Sequence, residues 1–317
     1  MAEDLPQTRR RYIDMWALPG IHPSNIEFMQ KLKTADTNHF TTHMDVVGTV
    51  SEQDAKSGDW EETHLIGLRT DAWKVDREEF EDALDVVHKR RRQKLKQQIK
   101  KHGRLSAKEQ EKLQEKIEQD SVMNMQSDQI EQRRLVLKLF KTSTERVRWC
   151  GTIEQVTTTE VHNSIGSSRS LLTMAVVLPR TEMLTFIQQN HRTFRIPSLF
   201  TCGFYESERM WSLAFKRHWL SIGADFEIEA DGQSIGDIDG RLISFGSDSY
   251  INLDEHPLTD TTRFVDMITL FAASSGYHQA MRKSVSRRVQ ATLAGESHRN
   301  LVEDEELRLH HNGRAAA

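Results

Sequence analysis

Three groups of residues in this chain have types and spacings that suit metal or nucleophilic chemistry. His39 and His43 are four residues apart, so a helix would place both imidazoles on one face, and Asp45 follows closely. Residues 274–278, Ser-Ser-Gly-Tyr-His, bring hydroxyl groups next to an imidazole. The third group consists of four carboxylates close together in sequence, which suggests calcium: Asp225, Asp231, Asp237 and Asp239.

None of these groups predicts an enzyme or a cofactor site. A zinc site needs a third fixed ligand beyond the histidine pair. Residues 274–278 fall inside a strongly apolar helical segment, where small side chains favour close packing. The four aspartates have strand and turn spacing instead of the spacing of an EF-hand loop. Motifs for nucleophile elbows, phosphate-binding glycine loops and His-Glu-x-x-His zinc sites are absent from the sequence. We therefore expect a non-enzymatic protein without a cofactor or metal.

The composition limits the class of protein and its setting. The chain has 317 residues, of which 37% are hydrophobic and 28% are charged, so it is polar for a globular protein but not disordered overall. The formal net charge of -4 favours neither nucleic acid nor an anionic membrane as partner, so local charge has to decide. Cys150 and Cys202 have no spacing typical of a disulfide framework or a metal site, which predicts a reducing cytoplasm.

Neither a secretory signal nor a membrane span is predicted. Residues 1–16 contain charged side chains and no apolar core of the kind that a signal peptide needs. The longest apolar run, residues 264–273, is interrupted by Asp266 and Thr269 and is far shorter than the ~20 residues that cross a bilayer. We expect a cytoplasmic protein that is at most peripheral to a membrane.

Short strands are predicted through much of the chain. In residues 226–229, phenylalanine and isoleucine alternate with glutamate, as in half-buried strands, and Asp231-Gly232 and Asp239-Gly240 are hairpin-turn dipeptides. Further strands are expected at residues 63–68, 135–140, 147–156, 171–178, 242–245 and 250–253, and a short helix at 182–189. The fold of residues 1–73 otherwise remains open.

A helix beginning near Thr261 is predicted to be buried. Its apolar side chains cover nearly the whole circumference, which only a buried helix tolerates. Beyond Gly276 the segment becomes basic, with four candidate anion-binding residues: Arg282, Lys283, Arg287 and Arg288. These residues have two interpretations, either a solvated helix end that complements the helix dipole or a basic surface at a barrel mouth that attracts anionic headgroups.

Residues 211–282 resemble the tubby-like C-terminal fold, in its LURP-one-related and phospholipid-scramblase branch. The matching segments are Ser-Ile-Gly-Ala-Asp-Phe-Glu-Ile at 221–228, Asp-Gly at 231–232, Ile-Asp-Gly-Arg at 238–241 and Ser-Phe-Gly at 244–246. The resemblance implies a closed barrel of strands with a hydrophobic C-terminal helix threaded through it. It also implies binding of membrane lipid or of a protein partner, with phospholipid scrambling unfavoured for so polar a chain.

Residues 74–120 are predicted to form a charged helical hairpin. Asp76 with Glu79 and Ser106 with Glu109 are capping boxes, and Gly103 ends the first helix. The span from Val86 through Lys108 contains no acidic residue, whereas the second helix carries Glu109, Glu111, Glu115, Glu118 and Asp120. The candidate phosphate-binding residues of the basic span are Arg90, Arg92, Lys96, Lys100, Lys101 and Arg104. Two interpretations stay open: two helices that neutralise each other in solvent, or an arm that contacts phosphates of nucleic acid or lipid.

The hairpin is similar to one in the RdgC-type recombination-associated DNA-binding proteins. The matching segments are Leu-Arg-Thr-Asp at 68–71, Lys-Val at 74–75, Gly-Arg-Leu-Ser-Ala-Lys-Glu at 103–109 and Glu-Lys-Ile at 115–117. Because the chain after Cys150 does not follow that family, the resemblance implies only an arm that binds duplex DNA without reading its sequence.

Together these features predict an α+β protein, with an antiparallel barrel around a buried C-terminal helix and a helical hairpin inserted in the N-terminal part. The predicted regions are 1–73, the hairpin 74–120, the barrel 130–293 and an exposed tail 294–317. The predicted partner is an anionic phospholipid surface or a protein, and the alternative is duplex DNA bound by the hairpin. The oligomeric state stays open.

Overall fold

The strands of the protein close into a single antiparallel barrel. A computed structural model describes residues 9–16, 44–69, 73, 134–143, 147–167, 169–181, 183–190, 198–218, 224–243 and 246–295. Those residues contain 12 strands and three helices, and each strand pairs with its neighbours in sequence. The barrel closes because β1 pairs with both β2 and β12. The antiparallel barrel that the sequence predicts is confirmed.

The element bounds are as follows. The strands are β1 (Arg9–Trp16), β2 (Met44–Gln53), β3 (Trp60–Arg69), β4 (Val136–Thr142), β5 (Val147–Gln155), β6 (Thr173–Val177), β7 (Thr185–Gln189), β8 (Leu199–Glu206), β9 (Arg209–Arg217), β10 (Phe226–Ala230), β11 (Gln233–Ile243) and β12 (Gly246–Leu253). The helices are α1 (Thr157–Ser164), α2 (Thr262–Ser275) and α3 (His278–Leu293).

Alternating burial explains why these segments form the barrel wall. In β10, Phe226 and Ile228 are buried in the core while Glu227 and Glu229 lie on the outer face, as predicted. The turn that follows is also as predicted, since Asp231 and Gly232 both have positive φ angles of 49° and 85°. Such a pair connects two antiparallel strands in the sense of their natural twist.

The N-terminal strands belong to the same barrel. β1, β2 and β3 complete the wall between β12 and β4, and the strand predicted at residues 63–68 is confirmed as part of β3. The compact unit that contains the barrel comprises Met1–Trp73 and Arg134–Ala317. β3 and β4 are neighbours although a long stretch of sequence separates them. The predicted hairpin at 74–120 and the tail beyond Gly295 lie outside the described residues.

The helix predicted at residues 182–189 is wrong, since Thr185–Gln189 is strand β7. The β-branched and aromatic side chains of Thr185, Phe186 and Ile187 favour an extended backbone. β7 also pairs with β6 on one side and β8 on the other, and these ladders satisfy its backbone groups. Tertiary pairing therefore outweighs the helix-forming residues at the start of the segment.

The turn predicted at Asp239-Gly240 is also wrong, since both residues lie within β11. Gly240 is used for close approach instead. A Cβ atom there would lie 2.8 Å from the backbone oxygen of Ala224, and the Gly240 N–H donates to Asp225 Oδ1 at 2.9 Å. The glycine allows the connection before β10 to pack directly on β11.

Helix α2 fills the barrel, and the predicted burial of this helix is confirmed. Its residues from Phe264 to Ser275 are buried. The ring of Phe271 stacks on Phe215 of β9 with centroids 4.4 Å apart, and it meets Phe200 of β8 and Phe226 of β10 at 5.3 Å each. Of the helices in the described segments, none is long and apolar enough to cross a membrane.

A buried arginine joins α2 to the wall of the barrel. Arg11 of β1 has a side chain that is 1% exposed. Its Nη1 donates to Asp266 Oδ1 at 2.9 Å and to Thr269 Oγ1 at 2.8 Å, and its Nε donates to Glu52 Oε1 of β2 at 2.7 Å. One guanidinium thus bridges two carboxylates, one on the helix and one on the wall.

The two carboxylates respond differently to Arg11. Burial raises the pKa of Asp266, and the attraction of Arg11 offsets this only in part. Burial also opposes ionisation of Glu52, but Arg11 outweighs it and lowers the pKa of that carboxyl. The difference follows from exposure, because the Asp266 side chain is 4% exposed and that of Glu52 25%.

Candidate anion-binding site

The basic residues of α3 lie at the end of the barrel where α2 ends, which we call the α3 end. The β5–β6, β7–β8 and β9–β10 connections reach the same end, because antiparallel strands alternate in direction. α1 lies in the β5–β6 connection and packs against α3. Helix α2 ends at Gly276, so the basic segment forms a separate helix, α3, and is not the continuation of α2.

One face of α3 covers the α3 end of the barrel. His278, Met281 and Val285 recur at helical spacing and are buried. The imidazole of His278 packs on Phe200 with ring centroids 5.2 Å apart, and Tyr277 before it meets Trp73 at 5.2 Å. This packing fixes the orientation of the helix, so its other face carries Lys283 and Arg287 exposed to solvent.

Arg282 lies at the border between these two faces. It is half-buried, and its Nη2 donates to Ser198 Oγ at 3.3 Å, just before β8. Burial lowers the pKa of Arg282, and the positive charges of Arg217 and Arg169 lower it further. Arg169 and Arg217, from two other parts of the sequence, therefore lie within electrostatic range of Arg282 and form a cluster with it at the α3 end.

The cluster is electrostatically uncompensated at Arg282. No carboxylate of the described residues forms an ion pair with Arg282, and α3 itself contains neither aspartate nor glutamate. Like charges held together in a partly desolvated place raise the energy of the unliganded protein. An anion with several oxygens suits such a cluster, because each guanidinium presents a fork of donors.

The four candidate residues predicted on α3 share one helix but not one face, since Arg288 follows Met281 and Val285 at helical spacing on the packed side. Lys283 and Arg287 are exposed, and Arg282 and Arg288 are half-buried. The candidates on the predicted hairpin, Arg90, Arg92, Lys96, Lys100, Lys101 and Arg104, lie outside the described residues, as do His39 and His43.

Sequence reasoning missed Arg169 and Arg217. Arg169 follows α1 in a serine-rich connection, and Arg217 ends β9. Nothing local distinguishes them from other surface arginines, because only the closed barrel brings their connections beside α3. The sequence feature that does indicate a positive surface in this region is the absence of acidic residues from α3.

The serine and histidine at the end of α2 are structural. Ser274 Oγ donates to the Phe271 carbonyl at 2.7 Å, and His278 Nε2 lies 3.5 Å from that hydroxyl. Burial, together with Arg282 and Arg217, lowers the pKa of His278 to about 3, so the imidazole is neutral. A hydroxyl whose proton is directed at a backbone carbonyl is not activated as a nucleophile by that histidine.

The carboxylates singled out as calcium candidates have other roles. Asp225, Asp237 and Asp239 line an open cavity of about 540 Å³ on the outer face of β10 and β11, whereas Asp231 lies in the hairpin turn. Asp225 accepts the Gly240 N–H and Asp237 accepts Asn252 Nδ2 at 3.0 Å. Within the described ranges, no group of three or more acidic, histidine or cysteine side chains is arranged to hold a metal ion.

Comparisons with protein-family models, with curated proteins and with solved structures find no match for this chain. The likenesses to the tubby-like and RdgC-type proteins therefore stay predictions. A fold by itself does not determine a function, so the function has to be argued from the side chains of the site.

Proposed function

We propose that this protein is a non-enzymatic binding protein that holds the anionic headgroup of a membrane phospholipid at the α3 end of its barrel. The observation that carries the proposal is the convergence of Arg282, Arg169 and Arg217 without a carboxylate partner for Arg282. The exposed Lys283 and Arg287 beside them extend the positive surface. A phosphate group would bring negative charge and several acceptors to Arg282 at once.

Exposed apolar side chains beside the cluster favour a membrane over DNA. Ile165, which directly follows α1, is 45% exposed, and Leu293 at the end of α3 is 69% exposed. Each is only a few residues from an arginine of the α3 end. Surfaces that combine basic and apolar side chains bind to the headgroup region of membranes, where both kinds of group are satisfied.

A cytoplasmic location suits the proposal. The cytoplasmic leaflet carries the anionic lipids, and the two cysteines, Cys150 and Cys202, are unpaired and buried. The alternative function, sequence-independent binding of DNA, depends on Arg90, Arg92, Lys96 and Lys100 of the predicted hairpin. DNA binding is therefore measured alongside vesicle binding in the experiment that follows.

The test replaces Arg282 and Arg169 by glutamine and measures binding to phosphatidylcholine vesicles with and without phosphatidylserine. Since a Lys or Arg near an anionic surface contributes about 1 kcal/mol, we expect the double variant to bind the anionic vesicles about thirtyfold more weakly. Binding of the unchanged protein should weaken as salt rises. The double variant should unfold at the same or a higher denaturant concentration, because the repulsion between the arginines is removed.

The matched control removes two positive charges from the opposite end of the barrel, with Lys56→Gln and Arg209→Gln. This control should retain vesicle binding. Equal losses in both double variants would show that only net charge matters and would contradict the proposal. If vesicles are not bound at all, and duplex DNA is bound until Arg90, Arg92, Lys96 and Lys100 are changed together to glutamine, the DNA alternative replaces it.

A further inference from the structure

Three aromatic rings from three strands meet on the outer wall of the barrel, away from the α3 end. Tyr12 of β1 and Tyr250 of β12 are directly paired residues, with ring centroids 4.8 Å apart. Trp60 of β3 stands nearly perpendicular to both, at 6.2 Å from Tyr12 and 6.1 Å from Tyr250. Ser51, the β2 partner of Tyr12, has a small side chain, so the indole of Trp60 can reach across β2 to the ring of Tyr12. We call these three rings the aromatic patch.

The aromatic patch is accessible. Trp60 is 42% exposed, which is high for the largest apolar side chain, and the two tyrosines are half-buried. The flat faces of the rings cannot all be used against one another, because Trp60 meets the tyrosines at 73° and 72°. Because Trp60 is 42% exposed, part of the indole remains available to a ligand. Trp and Tyr in such positions are the residue types that dominate binding energy at protein interfaces.

Carboxylates surround the aromatic patch. Asp14 and Asp248 are directly paired across β1 and β12, next to Tyr12 and Tyr250. Asp239 is the β11 partner of Tyr250, and Glu62 lies two residues beyond Trp60. One oxygen of Asp248 is buried without a hydrogen-bond partner.

The charges of the carboxylates affect the ionisation of Tyr12. Burial raises the pKa of Tyr12, and the negative charges of Asp14 and Asp248 raise it further. Arg241 is the β11 partner of Asp248 and lies 3.8 Å from Asp239, and its positive charge opposes these effects only in part. The surroundings of the rings are therefore negative, and a cation is the ligand that this field favours.

We propose that the aromatic patch docks a positively charged side chain of a partner protein, an arginine in the first place. A guanidinium is planar, so it can stack on the indole face of Trp60 while its edge donates to the carboxylate of Asp248. The protein uses the same stacking geometry elsewhere, since the guanidinium carbon of Arg209 lies 3.8 Å from the centre of the Trp211 ring. The proposal is independent of lipid binding, because the patch is on the side wall and has the opposite charge.

The test titrates the full-length protein with hexa-arginine, hexa-lysine and hexa-glutamate peptides and follows binding by calorimetry. We expect the arginine peptide to bind more tightly than the lysine peptide and the glutamate peptide not to bind. Trp60→Leu should weaken binding of hexa-arginine about two- to thirtyfold, the range expected for loss of a cation–π contact. Trp60→Phe should retain most of the affinity. Asp248→Asn should weaken binding, and Arg241→Gln should strengthen it.

Two controls distinguish binding at the aromatic patch from a general electrostatic attraction between the basic peptide and the protein. Tyr205 is also an exposed aromatic residue, at 47%, on the outer face of β8, and Tyr205→Leu should leave binding unchanged. Asp254 lines the acidic cavity beside β10 and β11, and Asp254→Asn should also leave it unchanged. Full affinity in Trp60→Leu, or a loss that follows Asp254→Asn instead of Asp248→Asn, would overturn the proposal.

Discussion

We expect Phe271→Ala to lower the free energy of unfolding by about 3–5 kcal/mol, as for other aromatic side chains removed from a packed core. Phe271 is fully buried in the centre of α2 and contacts phenylalanines of three consecutive strands. Alanine would leave a cavity between helix and wall that neither side can close, because the barrel is closed and the helix is enclosed by it. Denaturant unfolding followed by circular dichroism measures the loss.

The control for this variant is Tyr205→Ala, which removes a ring of similar size from the outer face. Its free energy of unfolding should stay within about 0.5 kcal/mol of that of the unchanged protein, as for most surface substitutions. Phe271→Asp should not fold, because an unpaired carboxylate would be buried in the core. Recovery of a cooperatively unfolding Phe271→Asp protein would contradict the position of α2 inside the barrel.

The second large effect is expected from Arg11→Met, which removes the cation that bridges Asp266 and Glu52. Breaking a buried ion pair by deleting one partner costs about 3–5 kcal/mol, because the other charge stays buried without compensation. The adjacent Arg10 is exposed, so Arg10→Met should have little effect and serves as the matched control. Adding Asp266→Leu to Arg11→Met should restore much of the lost stability, since the uncompensated carboxylate on α2 is removed.

The loss of stability in Arg11→Met should depend on pH. Burial already raises the pKa of Asp266, and removal of Arg11 raises it further. A carboxyl whose pKa is raised in the folded state stabilises the fold at low pH and loses this contribution as pH rises through the folded pKa. The difference in stability between the variant and the unchanged protein should therefore narrow on acidification. A difference that is constant with pH would show that Asp266 does not carry the uncompensated charge.

The wall and the central helix of the barrel could be predicted from sequence because their signals are local. The alternation in β10, the Asp231-Gly232 turn and the all-round apolar surface of α2 are each visible within a few residues. β7 and Gly240 were missed for the opposite reason. In β7 the pairing with β6 and β8 decides the conformation. Gly240 allows a close contact with Ala224, a residue that is distant in sequence, so no local pattern reveals it.

Only part of the candidate site could be predicted from the sequence. The four basic residues of α3 lie close together in a helix that contains no acidic residue, so a positive surface was predictable. Arg169 and Arg217 join them only through the closure of the barrel, which sequence patterns do not specify. Arg11 was equally hidden, because a run of three arginines at the N-terminus suggests a solvated segment and not a core residue.

Contact of the α3 end with an anionic membrane is the central claim, and a fluorescent label at position 165 tests it most directly. Cys150 and Cys202 are buried, so a thiol introduced by Ile165→Cys can be labelled selectively with a polarity-sensitive dye. Met210→Cys provides the control, since Met210 is 50% exposed near the opposite end of the barrel.

On addition of phosphatidylserine-containing vesicles, we predict a blue shift of the dye at position 165 and no shift at position 210. The shift should disappear in phosphatidylcholine vesicles and in protein that also carries Arg282→Gln and Arg169→Gln. A shift at position 210 alone, or no shift at position 165 while the protein is bound to the vesicles, would contradict the account.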